Sequence, residues 1–215
     1  MTWRSTADYY RLLNEGVRER LGGSHSARVL IASVDEADVE PLMREGRWDE
    51  AGALLAADAA ALERAGADVF VLACNSMHRA WETIVAPLSI PSIHIGEAAA
   101  DALPEGAGRV ALLGTRYTME GDFIRGPIAA RGVEVVVPEA AERAEVHRVI
   151  FEELSDGVVR DESRAYIAGA IDRLGADAVV LGCGELALLE LDLPASIDTV
   201  RAHARAAVDY ALADA

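Results

Sequence analysis

Apolar positions along this chain switch repeatedly between a helical and a strand period. Tyr9, Leu12, Leu13, Val17 and Leu21 form one stripe of a helix over residues 5–21, with Ser5 or Thr6 as its N-cap. Gly22 and Gly23 end it, and the run 28–33 is the first expected strand. Helices are expected over 38–44 and 48–64, then a strand over 69–73 and a helix over 76–86 closed by Pro87. A strand at 91–95 and a helix at 97–103 come next. Gly106-Ala107-Gly108 is the glycine-dense linker where the lobe boundary is expected. Beyond it lie strands at 109–113, 133–137 and 178–182, a helix opening at 114–119, and helices at 140–154, 162–174 and 199–213. Short strands alternating with helices predict an α/β protein with mainly parallel, doubly wound sheets.

Two stretches of this pattern match each other. Residues 63–74 align without gaps on 172–183, and roughly half of the positions are identical, as in an internal duplication. Each copy runs from a helix end through a Gly turn and a β-branched strand to one of the two cysteines of the chain, Cys74 and Cys183. The carboxyl ends of parallel strands are where open α/β sheets bind ligands. The expected organisation is therefore two similar lobes with the active site in the cleft between them. The first lobe covers residues 1–104, completed by the C-terminal helix 197–215, and the second covers 105–196.

Composition narrows the function. The 215 residues carry 52% hydrophobic positions, enough for a substantial core, and a formal net charge of −16. That charge argues against nucleic acid, which needs clustered basic residues; every basic side chain other than histidine is an arginine. No apolar run is long enough to span a membrane, and residues 1–5 do not begin a secretory signal, so cytoplasm is the expected compartment. Two widely separated cysteines there suit working thiols at least as well as a disulfide.

A thiol at a strand end that opens a helix sits beside unpaired N–H groups and the positive end of the helix dipole. Both effects are expected to lower its pKa and to create an anion site next to it. With one thiol on each face of a carbon acid, one can remove a proton while the other returns one, with no cofactor. The plain alternative is a pair of buried, inert cysteines. Asn75 and Ser76 can donate to a carboxylate or simply cap a helix, and Gly114, Thr115 and Thr118 offer a second set of donors or another cap. Glu185 can accept from a substrate ammonium group, or merely favour the first turn of a helix. His78, four residues after Cys74, admits a Cys–His hydrolase or a zinc site with Cys183, but a packing or supporting role fits better, because the matching position is Ala187. His25, His94, His147 and His203 read as isolated, structural or exposed residues.

Cys74-Asn75-Ser76-Met77-His78 and Gly182-Cys183-Gly184-Glu185-Leu186 resemble the Cys-Asn-Thr-x-His and Gly-Cys-Thr-Glu-Leu motifs of the aspartate/glutamate racemase family. Supporting matches are residues 3–10, 113–120, Asp198-Thr199 and His203. The resemblance implies a pyridoxal-independent racemase of a small acidic amino acid, usually a homodimer, with Cys74 and Cys183 as opposing bases. It also implies substrate contacts from Asn75, Ser76 and Thr115, and from Arg160 by position. Gly184 replaces the motif's threonine, and Met43 stands where relatives often carry glutamine, in a loop facing the side-chain end of the substrate. Hydantoin racemisation, maleate isomerisation, malonate decarboxylation and non-catalytic dicarboxylate binding are the competing functions. Family members also begin with a strand and a Gly-Gly-Met-Ser loop, and Met1 falls at about that methionine. The resemblance thus implies either an earlier start or another element in that strand's place.

Overall fold

The computed structural model describes residues 2–193 and 195–213. Met1 and the last two positions of the expected 197–215 segment lie outside the described residues. By its internal contacts the chain divides into two compact units, one made of the residues up to His94 and from His203 onward, the other of Ile95–Ala202.

The first unit opens with α1 (Trp3–Leu21), whose start is fixed by Thr2, its hydroxyl accepting from Ser5 N at 3.2 Å. The cap thus lies upstream of the expected Ser5 or Thr6. The helix buries Tyr9 and Val17. Helices α2 (Glu36–Arg44) and α3 (Trp48–Arg64) follow, and then β1 (Phe70–Val71). α3 lies close to the segment after β1: a Cβ on Gly52 would stand 3.1 Å from Ala80 Cβ and from Thr83 Cβ. β1 pairs in parallel with β2 (Ser92–Ile93), with Phe70 opposite Ser92 and Val71 opposite Ile93. Between them the expected helix over 76–86 is two shorter pieces, a 3₁₀ turn (Ser76–Ala80) and α4 (Trp81–Val85).

One expected strand is not found. Residues 28–33 pair with no other strand among the described residues, so no ladder assigns them to a sheet. A β-branched run supplies propensity, but a strand exists only where another backbone takes its hydrogen bonds.

In the second unit, α5 (Ile95–Asp101) leads into β3 (Arg109–Gly114), α6 (Arg116–Glu120), α7 (Asp122–Ala129), β4 (Glu134–Val136) and α8 (Ala140–Glu152). After them come α9 (Asp161–Leu174), β5 (Ala178–Gly182) and β6 (Ser196–Asp198). α10 (Thr199–Ala211) starts here and runs on into the first unit. The four strands form one sheet in the order β4-β3-β5-β6, parallel throughout. Successive strand residues point to opposite faces, so each strand feeds two cores. Ala111, Leu113, Val179 and Leu181 pack with Val146, Val149 and Ile150 of α8 and Ile167 of α9. Val110, Leu112, Ala178 and Val180 pack with Ile95 of α5 and Ile124 and Ile128 of α7. Helices on both faces of a parallel sheet are why β3 and β5 read as unbroken apolar runs.

The duplicated segments turn alike. Gly66 after α3 and Gly175 after α9 both have positive φ, 94° and 57°, where a side chain would be strained, and each reverses the chain from helix toward strand.

Candidate functional site

Each unit brings one free cysteine to the carboxyl end of a parallel strand. In the first, the chain leaves β1 through Ala73 and tightens at once, Cys74 N donating to Leu72 O at 2.8 Å. The next residues wind into the 3₁₀ turn, with His78 N donating to Asn75 O at 3.0 Å. Ser76 and His78 are buried, while Cys74 is half-buried.

His78 supports Cys74 from behind. Its Nδ1 lies 2.8 Å from Cys74 O, and a carbonyl can only accept, so Nδ1 carries the proton. The ring stacks on Trp81 at 5.0 Å and meets His94 and His203 edge-on at 4.9 and 5.6 Å. His203 is fixed in the same way: Nε2 donates to Ile93 O at 2.7 Å, so Nδ1 accepts from the Tyr9 hydroxyl, also at 2.7 Å. Burial, reinforced by the neighbouring imidazoles, holds His78 well below the usual histidine range, and burial lowers His203 to about 4. The half-buried His94 and the buried His203, both expected to stand alone, join His78 in one imidazole cluster beside the Cys74 backbone. Nothing local signals this, because 110 positions separate Ile93 from His203.

In the second unit, β3 and β5 end side by side, Gly114 opposite Gly182. Both positions are crowded. A Cβ on Gly182 would stand 2.7 Å from Thr118 Cγ2 and 3.0 Å from Leu113 O, and one on Gly114 would stand 3.0 Å from Thr118 Cγ2. The two glycines let the fully buried Thr118 settle onto the strand ends. Thr115 caps α6, its hydroxyl accepting from Thr118 N at 3.3 Å, and the two hydroxyls lie 3.3 Å apart. Thr199 donates to Leu181 O at 2.9 Å, bracing the strand just before the thiol.

Cys183 is buried, and its Sγ donates to Glu185 Oε2 at 2.9 Å. Burial pushes this thiol well above the usual range, and the adjacent Glu185 carboxylate pushes it further. For Cys183 this reverses the expectation of an acidified thiol. Only a six-residue 3₁₀ segment (Gly184–Leu189) follows Cys183, so the helix-end field is short, and desolvation with a like charge outweighs it. Gly184 has ordinary room beside it, a Cβ there lying 3.4 Å from Val200 Cγ2.

Arg160 precedes α9, and its largely exposed guanidinium lies 3.7 Å from the carboxylate of Glu153. Glu153 is a buried acid that sequence inspection passed over. Ser163 Oγ donates to it at 2.7 Å and Arg148 at 2.9 Å, and these bonds hold it below the usual carboxylate range. Met43 is buried in α2. Among the described residues no group of three or more His, Cys, Asp or Glu side chains is placed to hold a metal, and no helix is long and apolar enough to cross a membrane.

The chain as a whole is similar to known proteins. A candidate Asp/Glu racemase from Yersinia pestis superposes with a TM-score of 0.89 at 39% identity, over 98% of this chain and 95% of that one. An aspartate racemase homologue from Pyrococcus horikoshii superposes at 0.83 with 30% identity and the same coverage. The broad specificity amino-acid racemase RacX of Bacillus subtilis is 33% identical over 75 residues, 35% of this chain and 33% of that protein, so the match spans about a third of that relative's length. The sequence profile of the Asp/Glu/hydantoin racemases matches residues 1–207, nearly the whole length. By that match the chain belongs to the Asp/Glu/hydantoin racemase family.

Proposed function

We propose that this protein is a cofactor-independent racemase of a small acidic amino acid, aspartate or glutamate, with Cys74 and Cys183 as its two acid–base groups. The observation that carries the reading is the inequality of the thiols. Cys183 is kept as S–H by burial and Glu185, whereas Cys74 sits half-exposed at its strand end. A two-base racemase needs one thiolate and one thiol at the start of each turnover.

Cys74 as thiolate takes the α-proton, forming an S–H bond as the C–H bond breaks, and the electron pair passes into the carboxylate to give a dianionic enediolate. Cys183 then gives its proton to the opposite face of the carbon and becomes the thiolate. A thiol of raised pKa yields a strongly basic thiolate, which suits it to start the reverse reaction. The dianion requires fixed donors, each worth about 2.7–4 kcal/mol if it acts like an oxyanion-hole donor, and Asn75, Ser76 and Thr115 are the residues assigned that task. Thr118, Gly184, Glu185, Arg160 and Met43 complete the substrate-side set, with the Arg160 guanidinium as its cation. The same reading takes the protein as a cytoplasmic homodimer, for which sedimentation should report twice the chain mass.

The deciding experiment incubates the protein separately with L-aspartate and L-glutamate in deuterated water, following α-deuterium uptake and the D-isomer. Uptake with inversion on one of them is the expected outcome. Folded protein that exchanges neither overturns the proposal.

A further inference from the structure

Glu153 is only 1% exposed, where the chain leaves α8 for α9, and the reaction described above gives it no part. A carboxylate stays charged in such a place only where fixed donors replace its lost water. Ser163 Oγ donates to its Oε2 at 2.7 Å and Arg148 Nη2 to its Oε1 at 2.9 Å. The backbone of the same residue closes the turn, its carbonyl accepting from Asp156 N at 3.1 Å and from Val158 N at 2.9 Å. Glu153 is therefore the fixed point of the connection 153–160, tied to α8 through Arg148 and to the first turn of α9 through Ser163.

That connection lies at the strand end that carries Cys183. Its 3₁₀ turn, Leu154–Asp156, rests on the 3₁₀ segment that follows the thiol. Leu154 shares one buried core with Cys183, Leu186 and Leu189, and Arg164 Nε donates to Leu189 O at 2.8 Å. Two arginines face Glu153 there, and they differ in the donors they have left. Arg148 also bonds Glu145 at 2.7 Å and Glu152 at 3.4 Å, so it is engaged. Arg160 lies 3.7 Å from Glu153 Oε1, too far for a hydrogen bond, and among the described residues its guanidinium donates to no other group.

We infer that Glu153 is a positioning residue, which holds the Arg160 guanidinium beside the Cys183 strand end, with its donors open, for a substrate carboxylate. The inference rests on the racemase reading, in which Arg160 is the substrate-side cation; Glu153 itself touches no substrate. Arg160 is 59% exposed, and a long side chain in water samples many rotamers, freedom that a ligand must remove on binding. A fixed negative charge behind it narrows that range beforehand. At 3.7 Å the attraction persists while no N–H is taken up. A carboxylate in full hydrogen-bonded contact with Arg160 would instead compete with the substrate. Glu153 has its own oxygens satisfied by Ser163 and Arg148, which makes it an anchor rather than a rival.

The test measures kcat and KM of the full chain by α-deuterium exchange, on whichever of aspartate and glutamate the unaltered protein turns over. Glu153→Gln keeps the volume and an oxygen for Ser163 but removes the charge. It is expected to raise KM by about 3- to 10-fold, the affinity equivalent of ordering one long side chain, with kcat held within about 2-fold. Arg160→Gln is expected to raise KM at least as much, and the double variant no further than Arg160→Gln alone, because Glu153 acts only through that guanidinium. Should Glu153→Gln fail to fold, Ser163→Ala, which removes one of the bonds fixing the carboxylate, is expected to give a smaller rise that vanishes in an Arg160→Gln background. An active protein whose KM is unmoved or lowered by the Glu153 variant overturns the inference alone. So does a double variant in which the two losses add, since that reports a merely structural acid. Unaltered protein that exchanges neither amino acid removes the racemase reading, and this inference with it.

Discussion

The Tyr9 hydroxyl donates to Nδ1 of His203 at 2.7 Å, joining the first helix of the chain to the last. The bond holds an imidazole whose other nitrogen is already committed to Ile93 O. His203 therefore stays neutral in the folded protein, with a pKa of about 4 against a reference of about 6.5.

That difference makes the fold acid-sensitive. Below about pH 6.5 the unfolded chain binds a proton that folded His203 excludes, so its contribution is complete above that pH and is lost as pH falls toward 4. The shift corresponds to roughly 3 kcal/mol at most, and His78 acts with the same sign. Urea unfolding at about pH 7 and about pH 5 should show the loss, and His203→Gln should flatten it. Tyr9→Phe should cost about 1–3 kcal/mol at neutral pH by leaving a buried nitrogen without a donor.

Cys183 predicts the opposite behaviour at alkaline pH. Its folded pKa lies above the unfolded value of about 8.5, so the contribution is complete below that pH and is lost as pH rises beyond it. Glu185→Gln removes the carboxylate charge beside the sulfur and should bring thiolate formation to lower pH. Titrating thiolate absorbance in a Cys74→Ser background checks this, and an unmoved titration would deny Glu185 any hold on the proton.

Cys74→Ser and Cys183→Ser should each lower racemisation by about 10²–10⁴-fold, the range for loss of a positioned acid or base. Both should fold normally, because a hydroxyl replaces a thiol at a strand end without adding volume. Near-normal turnover in either variant would rule out a two-thiol mechanism.

Gly184→Thr should be tolerated, since the new Cβ meets Val200 Cγ2 at 3.4 Å and the position does not require a positive φ. By adding a hydroxyl directly after Cys183 it is expected to raise turnover on acidic amino acids. Unchanged or lower kcat/KM on both aspartate and glutamate would count against that role.

Gly182→Ala, by contrast, drives a methyl to 2.7 Å from Thr118 Cγ2 and 3.0 Å from Leu113 O. Overpacking of this kind costs about 1–3 kcal/mol. Thr118→Ser should recover part of that loss by removing the methyl it meets, and thermal unfolding of the single and double variants reads the compensation.

Much of this protein was legible in its sequence, because the strands that matter are apolar runs with local signals. β3 and β5, their glycine turns and both strand-end cysteines fall where the pattern puts them. The 28–33 run shows the limit: propensity marks a segment that can be a strand, while pairing depends on a distant neighbour. The thiol environments show another. A short 3₁₀ segment after Cys183 and the reach of Glu185 back to its sulfur decide that pKa, and spacing alone reveals neither. The imidazole cluster was invisible because it joins residues from three remote parts of the chain.

Under the racemase reading, the unequal housing of Cys74 and Cys183 meets a thermodynamic limit. Mirror-image amino acids have equal free energies, so kcat/KM must be the same in the two directions. The Glu185 contact cannot make one enantiomer the favoured product. It can only scale kcat and KM together in one direction relative to the other, so its signature is saturation at different substrate levels for the two isomers.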